Sequence, residues 1–203
     1  MRSLSEIDTT SKRASRAIGF SWGIAEEIGK GVRQLELFGF PGVKTLNKYY
    51  NLKTKEKFES LDLIEKSNLS KKNPYCPIII GINFLDQIRN IEKYKKITFN
   101  KISFPLLILP FLSKSSEVIG KKINVKLNNL NFLLNLNMNI SSNFLDQVIP
   151  DIVENIEINF IENEDNFSEL EWKTLYKLSE ETFVEETDSL KQGAAGAGLT
   201  DND

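Results

Sequence analysis

The chain has 203 residues, a formal net charge of -2, one cysteine and no histidine. This length is sufficient for a domain that buries its own hydrophobic core. The absence of histidine excludes Ser-His-Asp and Cys-His catalysis and argues against the usual zinc sites, and a single cysteine excludes an internal disulfide.

Three helices are predicted in the N-terminal 50 residues. The capping-box spacing of Ser3 and Glu6, followed by apolar residues at helical spacing, predicts a helix over residues 4–18. Ser21 has the position of an N-cap for a second helix, and Gly39 has the position of its end. The segment "PGVKTLNKYY" then predicts a third helix that begins near a proline.

The middle of the chain is predicted to be rich in β-strands. Residues 51–73 are rich in lysine, serine and asparagine, and we interpret them as a linker or an exposed helix. Residues 74–162 contain short apolar or alternating segments, which predict a mostly antiparallel sheet with one solvated face. These segments are "PIIIGINF", "KKITF", "INVKL", "NFLLNLNMNI" and "NIEINFI".

A further helix and a small-residue tail are predicted at the C-terminal end. Ser168 and Glu171 have capping-box spacing and predict a helix within residues 167–190. Residues 191–203 are rich in glycine and alanine, but they lack the flanking strand and helix of a dinucleotide-binding motif. The fold class predicted for residues 1–203 is therefore α+β in a single domain, with N-terminal helices, a sheet, a C-terminal helix and an ordered tail.

Two features predict a cytoplasmic protein. The N-terminus has no apolar segment typical of a signal peptide. The longest apolar run, "FPLLILPFL", is far shorter than the roughly 18 residues that span a bilayer, so we interpret it as buried core. Basic residues predominate over residues 44–126 and acidic residues over 151–190. Because no nucleic-acid-binding motif accompanies the basic segment, we interpret these charges as solvated surface.

Glycines interrupt the second predicted helix. Gly23, Gly29 and Gly31 each cost about 1 kcal/mol relative to alanine in a helix interior. This cost indicates either close packing of another element or approach of a ligand, a substrate or the C-terminal tail to the helix backbone.

Charged residues on the first two helices form the candidate binding site. Glu26, Lys30 and Arg33 share one face of the second helix, and Arg13 and Arg16 lie one turn apart on the first. If the two helices pair, the arginines converge near Glu26 and could clamp a carboxylate or phosphate. The alternative is an ordinary surface with ion pairs along the helix.

Two carboxylates of the second helix are the candidate catalytic groups. Glu26 or Glu27 could act as a general acid or base beside the bound anion. Trp22, at the start of this helix, is either a core residue or a stacking platform for the ligand. Cys76 is interpreted as a small buried residue and not as a nucleophile. The residues indicate no particular cofactor and no metal.

Three segments together resemble a family of bacterial proteins described as a domain of unknown function. They are "GFSWGIAEEIGKGVRQLELFGFPGV", "SFPLLILPFL" and "GAAGAGLTDND". The resemblance carries no catalytic residues, but it implies that the N-terminal helices and the C-terminal tail meet in space. We therefore hypothesise that the tail closes a site as a lid or locks the fold, within one chain or across to a second subunit. The groups that would meet are Asp201 and Asp203 with Arg13, Arg16, Lys30 or Arg33.

Two functions remain open at this point. The first is a small metabolic enzyme that acts on an anionic or polar small molecule at the N-terminal helices and the tail. The second is a non-catalytic subunit or binding module that works in a homo- or hetero-oligomer. A pocket lined by both Glu26 and Arg13 would favour the enzyme, and a large exposed apolar patch would favour the binding module.

Overall fold

The structure is a computed structural model of the chain. It describes residues 2–54, 57–135, 140–143 and 149–183. The chain divides into two compact units, residues 1–163 and residues 164–203. The fold is α+β, as predicted, whereas the organisation in one domain stays a prediction.

The described part of residues 1–163 contains five α-helices and two short 3-10 helices. The α-helices are α1 (Leu4–Ala17), α2 (Trp22–Leu37), α3 (Gly42–Lys53), α4 (Pro77–Ile91) and α5 (Leu109–Ile119). The 3-10 helices are Glu92–Tyr94 and Pro105–Ile108.

The predicted ends of α1 and α2 are confirmed. The backbone N–H of Glu6 donates to Ser3 Oγ at 3.1 Å, and the Glu6 carboxylate accepts from the Ser3 backbone, which completes the capping box. At the start of α2, the Ser21 hydroxyl accepts from the backbone N–H of Ile24. Gly19 and Gly39 follow the two helices with positive φ angles of 102° and 77°, a conformation that glycine adopts without strain.

Besides these helices, the described part of this unit contains a six-stranded sheet. Its strands are β1 (Ser67–Asn68), β2 (Lys96–Phe99), β4 (Lys122–Leu127), β5 (Leu130–Leu134), β6 (Ile140–Ser142) and β8 (Ile156–Ile161). Their order is β1-β2-β8-β4-β5-β6, and every neighbouring pair is antiparallel except β1 and β2. A separate antiparallel pair consists of β3 (Ile102–Ser103) and β7 (Ile152–Val153).

The sheet has one buried face and one solvated face, as the alternation predicts. In β4, Ile123, Val125 and Leu127 are buried, whereas Lys122 and Lys126 are exposed. The sheet strands predicted from "KKITF", "INVKL" and "NIEINFI" are confirmed as β2, β4 and β8. In "NFLLNLNMNI", β5 and the first residue of β6 are described, and residues 136–139 lie outside the described residues.

The strand predicted from "PIIIGINF" is wrong, because these residues begin helix α4. The helix continues seven residues beyond the apolar run, and its buried positions recur at intervals of three and four. They include Pro77, Gly81, Phe84, Ile88 and Ile91. A short run that is apolar at almost every position cannot distinguish a strand from a buried helix, since both periodicities fit it.

The described residues 57–73 form no helix, so the alternative of an exposed helix in 51–73 is wrong there. α3 extends to Lys53, and the later residues run as an irregular segment that contains β1. Ile64 of this segment is buried in the core, and Phe58 and Leu61 pack against it. The apolar residues thus anchor a loop and do not form the stripe of a helix.

Helix α5 connects the layers of the core. It contacts β4 and β5 of the sheet as well as α2 and α4. The run "FPLLILPFL", which supplies the preceding 3-10 helix and the first turn of α5, is buried throughout, as predicted. Gly81 of α4 faces the ring of Phe111 of α5, so glycine permits the two helices to approach closely.

The described part of residues 164–203 contains one helix, α6 (Glu169–Glu180). Its capping box is confirmed: the N–H of Glu171 donates to Ser168 Oγ at 3.2 Å, and the N–H of Ser168 donates to Glu171 Oε2 at 2.7 Å. The predicted tail 191–203 lies outside the described residues. In the part of the chain that the structure describes, every helix is too short or too polar to cross a membrane.

Candidate functional site

The glycines of α2 have different surroundings. A β-carbon at Gly29 would lie 2.7 Å from Asp8 Oδ1 of α1, and one at Gly31 would lie 3.1 Å from Pro110 of α5. Nothing lies within 4 Å of a β-carbon at Gly23. Close helix packing therefore explains Gly29 and Gly31, and neither requires a ligand at the backbone.

Glu26 is held between two lysines. Its carboxylate lies 2.9 Å from Lys30 Nζ and 3.4 Å from Lys12 Nζ. The hydrogen bond from Lys30, together with the charge of Lys12, lowers the pKa of Glu26. A carboxylate that is stabilised in its ionised form is a weak general base, so these contacts disfavour the predicted catalytic role of Glu26.

The predicted convergence of arginines on Glu26 is wrong, because Lys12 occupies that position on α1. Arg13 is exposed and forms no ion pair with a described residue. Arg16 instead donates to the carbonyl of Phe20, and its guanidinium lies 4.8 Å from the ring centre of Trp22. Trp22 is exposed, so its interpretation as a core residue is also wrong. Spacing along α1 could not show which of its faces meets α2.

A groove of about 500 Å³ lies between α2 and α5, and we call it the α2–α5 groove. Residues of both helices and of the turn after α2 form its lining. They are Glu27, Lys30, Gly31, Arg33, Gln34, Leu37, Phe38, Pro110, Phe111 and Lys114. Its position follows from the packing of Gly31 on Pro110, which brings the two helices together at one point.

Glu27 links the two walls of the α2–α5 groove. Its Oε2 lies 2.7 Å from Lys114 Nζ of α5, and its Oε1 lies 3.4 Å from Lys30 Nζ of α2. Lys30 also pairs with Glu26, and the hydrogen bond to Glu26 raises the pKa of Lys30. Both lysines of the groove are thus already neutralised by carboxylates of α2.

Arg33 differs from the two lysines of the α2–α5 groove. Its closest carboxylate, Asp8, lies 3.8 Å away, beyond hydrogen-bonding distance. The guanidinium forms no hydrogen bond with any described residue, and the side chain is 52 % exposed. Among the described residues, none therefore accepts a hydrogen bond from the fork of donors of Arg33.

The remaining lining of the α2–α5 groove is largely apolar. Leu37, Phe38, Pro110 and Phe111 supply apolar surface to the lining, and Leu37 is exposed. The buried Gln34 amide donates to Ser113 Oγ at 3.0 Å, which fixes α2 to α5. The groove thus combines the Arg33 guanidinium with an apolar surface.

Cys76 is buried, in agreement with its interpretation as a core residue. Its Sγ lies 3.0 Å from the hydroxyl of Tyr49, and burial raises the pKa of that tyrosine. Both groups lie in the hydrophobic core, away from the groove lining.

The contribution of α5 to the site could not be predicted from the sequence. Lys114, Pro110 and Phe111 lie more than about 70 residues beyond the end of α2, and no spacing rule connects them to it. Gly31 was the available signal, since a costly helical glycine indicated a neighbouring element. Asp201 and Asp203 lie outside the described residues, so their predicted contacts stay predictions. Among the described residues, no cluster of carboxylates and cysteine could hold a metal ion.

Comparison with known proteins finds a family model that matches the N-terminal part of the chain. No curated protein and no solved structure matches the chain. Residues 2–76 match the family described as "Protein of unknown function (DUF3726)", in agreement with the resemblance to a domain of unknown function. The match contains α1, α2 and α3, and ends at the residue before α4. It therefore includes the Arg33 wall of the α2–α5 groove and leaves the Lys114 wall outside.

Proposed function

We propose that the chain is a cytoplasmic, non-catalytic binding protein whose α2–α5 groove takes a small ligand with an anionic head and an apolar body. The observation that carries this proposal is the hydrogen bonding of the Arg33 guanidinium. Among the described residues, it is the cation of the groove lining that has no hydrogen-bonded carboxylate. A guanidinium with free donors binds a carboxylate, sulfate or phosphate through two parallel hydrogen bonds.

The dimensions and lining of the groove support a small amphipathic ligand. Its volume of about 500 Å³ lies in the range of known small-molecule sites, which are mostly apolar with a few polar groups. The apolar residues of the lining would cover the body of the ligand while Arg33 holds its anionic head. An unbranched chain of about eight carbon atoms is a suitable probe, since burial of each methylene contributes about 0.8 kcal/mol.

The contacts of the glutamates favour binding over catalysis. Neither Glu26 nor Arg13 lines the α2–α5 groove, so the pocket expected for an enzyme is not formed by that pair. Glu27 does line it, but its carboxylate is engaged by Lys114 and Lys30. Closure by the tail and assembly into an oligomer stay predictions, and neither is needed for the groove to form.

Titration calorimetry with octyl sulfate tests the proposal. The wild-type chain should bind it, and Arg33→Gln should weaken binding by about 10- to 100-fold, since a hydrogen bond to a charged group contributes about 1.5–3 kcal/mol. The matched control is Arg13→Gln, which removes the same charge from an exposed site outside the groove lining. Octyl glucoside, which has the same chain and a neutral head, should bind far more weakly than octyl sulfate.

Two results would contradict the proposal. Equal losses in Arg33→Gln and Arg13→Gln would show that octyl sulfate responds to net charge and not to the groove. Absence of octyl sulfate binding to the wild-type chain would exclude a site for anionic amphiphiles of this size.

A further inference from the structure

We infer that Glu27 restricts the α2–α5 groove to ligands whose head carries a single negative charge. This inference rests on the proposed function and adds the charge class of the ligand. Its structural basis is the position of Glu27, which lies in the groove lining together with Arg33 and bridges the two walls.

The Glu27 carboxylate is the negative charge of the lining that also contains Arg33. It lies between Lys114 Nζ at 2.7 Å and Lys30 Nζ at 3.4 Å, and its side chain is only 23 % exposed. A doubly charged head in this groove is repelled by Glu27 more strongly than a singly charged head. It could gain Lys114 or Lys30 as a partner only by competing with Glu27, which would then lose its own lysine contacts.

The charges around the groove permit one additional anion. Each lysine of the lining has a carboxylate partner, since Lys114 contacts Glu27 and Lys30 contacts both Glu26 and Glu27. Glu26 also contacts Lys12, which lies outside the lining. Arg33 is paired more loosely, at 3.8 Å from Asp8, and within the described ranges its donors form no hydrogen bond. A monoanion therefore completes the hydrogen bonds of Arg33, whereas a dianion brings one charge for which the lining offers no unpaired cation.

Octyl sulfate and octyl phosphate at pH 8 form a matched pair of probes. Both have a tetrahedral head and the same chain. The sulfate carries one charge and the phosphate two, because the second pKa of a phosphate monoester is about 6. The wild-type chain should bind octyl sulfate about 3- to 10-fold more tightly, the size expected for a like-charge contact at a partly exposed site.

Glu27→Gln should remove this preference. The substitution keeps the shape of the side chain, removes its charge and leaves Lys114 without its carboxylate, whereas Lys30 keeps its contact with Glu26. Octyl phosphate should gain about tenfold in affinity and octyl sulfate by a smaller factor, because the freed lysine attracts two charges more strongly than one. The ratio of the two affinities should therefore approach one. The matched control is Glu117→Gln, which removes the same charge from an exposed site on α5 outside the groove lining. It should leave the ratio of the two affinities unchanged.

A second variant tests the same inference in the opposite direction. Lys114→Gln leaves Glu27 with Lys30 alone, so the preference for octyl sulfate should increase by about threefold. If both Glu27→Gln and Lys114→Gln bind octyl sulfate with the wild-type ratio of octyl sulfate to octyl phosphate affinity, the role of Glu27 is overturned and the groove remains a binding site. If the wild-type chain does not bind octyl sulfate, the proposed function itself is overturned.

Discussion

Gly29 of α2 lies directly against Asp8 of α1. A β-carbon at Gly29 would stand 2.7 Å from Asp8 Oδ1 and 2.8 Å from the Asp8 carbonyl oxygen, both shorter than such contacts occur in proteins. The two helices approach this closely because the position carries no side chain.

Gly29→Ala should therefore destabilise the protein. Alanine is about 1 kcal/mol better than glycine in a helix interior, but overpacking at the α1–α2 contact should reverse the sign and cost about 1–3 kcal/mol in the free energy of unfolding. Urea denaturation followed by circular dichroism measures the change.

Gly23→Ala is the matched control for this prediction. A β-carbon at Gly23 meets nothing within 4 Å, so the same substitution in the same helix should stabilise the protein by about 0.5–1 kcal/mol. A gain in stability in both variants would show that α1 and α2 separate easily and that Gly29 is not required for their packing.

The contact between Gly81 and Phe111 predicts coupling between α4 and α5. A β-carbon at Gly81 would overlap the ring of Phe111, so Gly81→Ala should cost about 1–3 kcal/mol in the free energy of unfolding. Phe111→Leu makes room for the new β-carbon, so the double variant should recover part of the stability that Gly81→Ala loses. A double-mutant cycle measured by urea denaturation should give a coupling above about 0.5 kcal/mol. Additive costs would contradict the packing of α4 on α5.

Features specified by neighbouring residues could be predicted from the sequence. The capping boxes of α1 and α6 involve groups three residues apart, and the alternation in β4 reflects the two faces of one strand. Helix α4 was missed because its first eight residues are nearly all apolar, and only its continuation to Ile91 reveals the helical period.

The candidate site was less predictable, because it depends on which helix faces meet. Glu27, Lys30 and Arg33 were identified from α2 alone, and the structure places all three in the α2–α5 groove. Their partner Lys114 comes from a distant helix. The predicted arginine cluster failed because α1 is rotated so that Asp8 and Lys12, and not Arg13, face α2.

The hydrogen bonds of Glu59 should make the free energy of unfolding depend on pH. Its carboxylate accepts hydrogen bonds from the backbone N–H groups of Asn73, Lys71 and Lys72 at 2.9, 3.0 and 2.7 Å. These bonds hold the pKa of Glu59 below its ordinary value of 4.5, and the bond from Asn73 has the largest effect. The unfolded chain therefore takes up a proton at a higher pH than the folded chain. The stabilisation is complete above the unfolded pKa and is lost as the pH falls through the folded pKa.

Glu59→Gln should lower the urea midpoint at pH 7, and its difference from the wild-type chain should decrease as the pH falls from about 5 to about 3, below the ordinary glutamate pKa. Urea denaturation across this range measures the difference. The control is Asp62→Asn in the same segment. The Asp62 side chain is exposed, so this substitution should leave the pH dependence of the urea midpoint unchanged. A constant difference between Glu59→Gln and the wild-type chain at all pH values would contradict a role for the ionised carboxylate.

The position of β8 has a consequence for the order of events during synthesis. β8 lies between β2 and β4 in the sheet, although it is the last of the sheet strands along the chain. On the ribosome, β2 and β4 lack their common neighbour until residues 156–161 have emerged, whereas α1 and α2 contact each other within the first 37 residues. The helical hairpin can therefore form while the chain is still growing, and the two sides of the sheet join only after most of the polypeptide has been made.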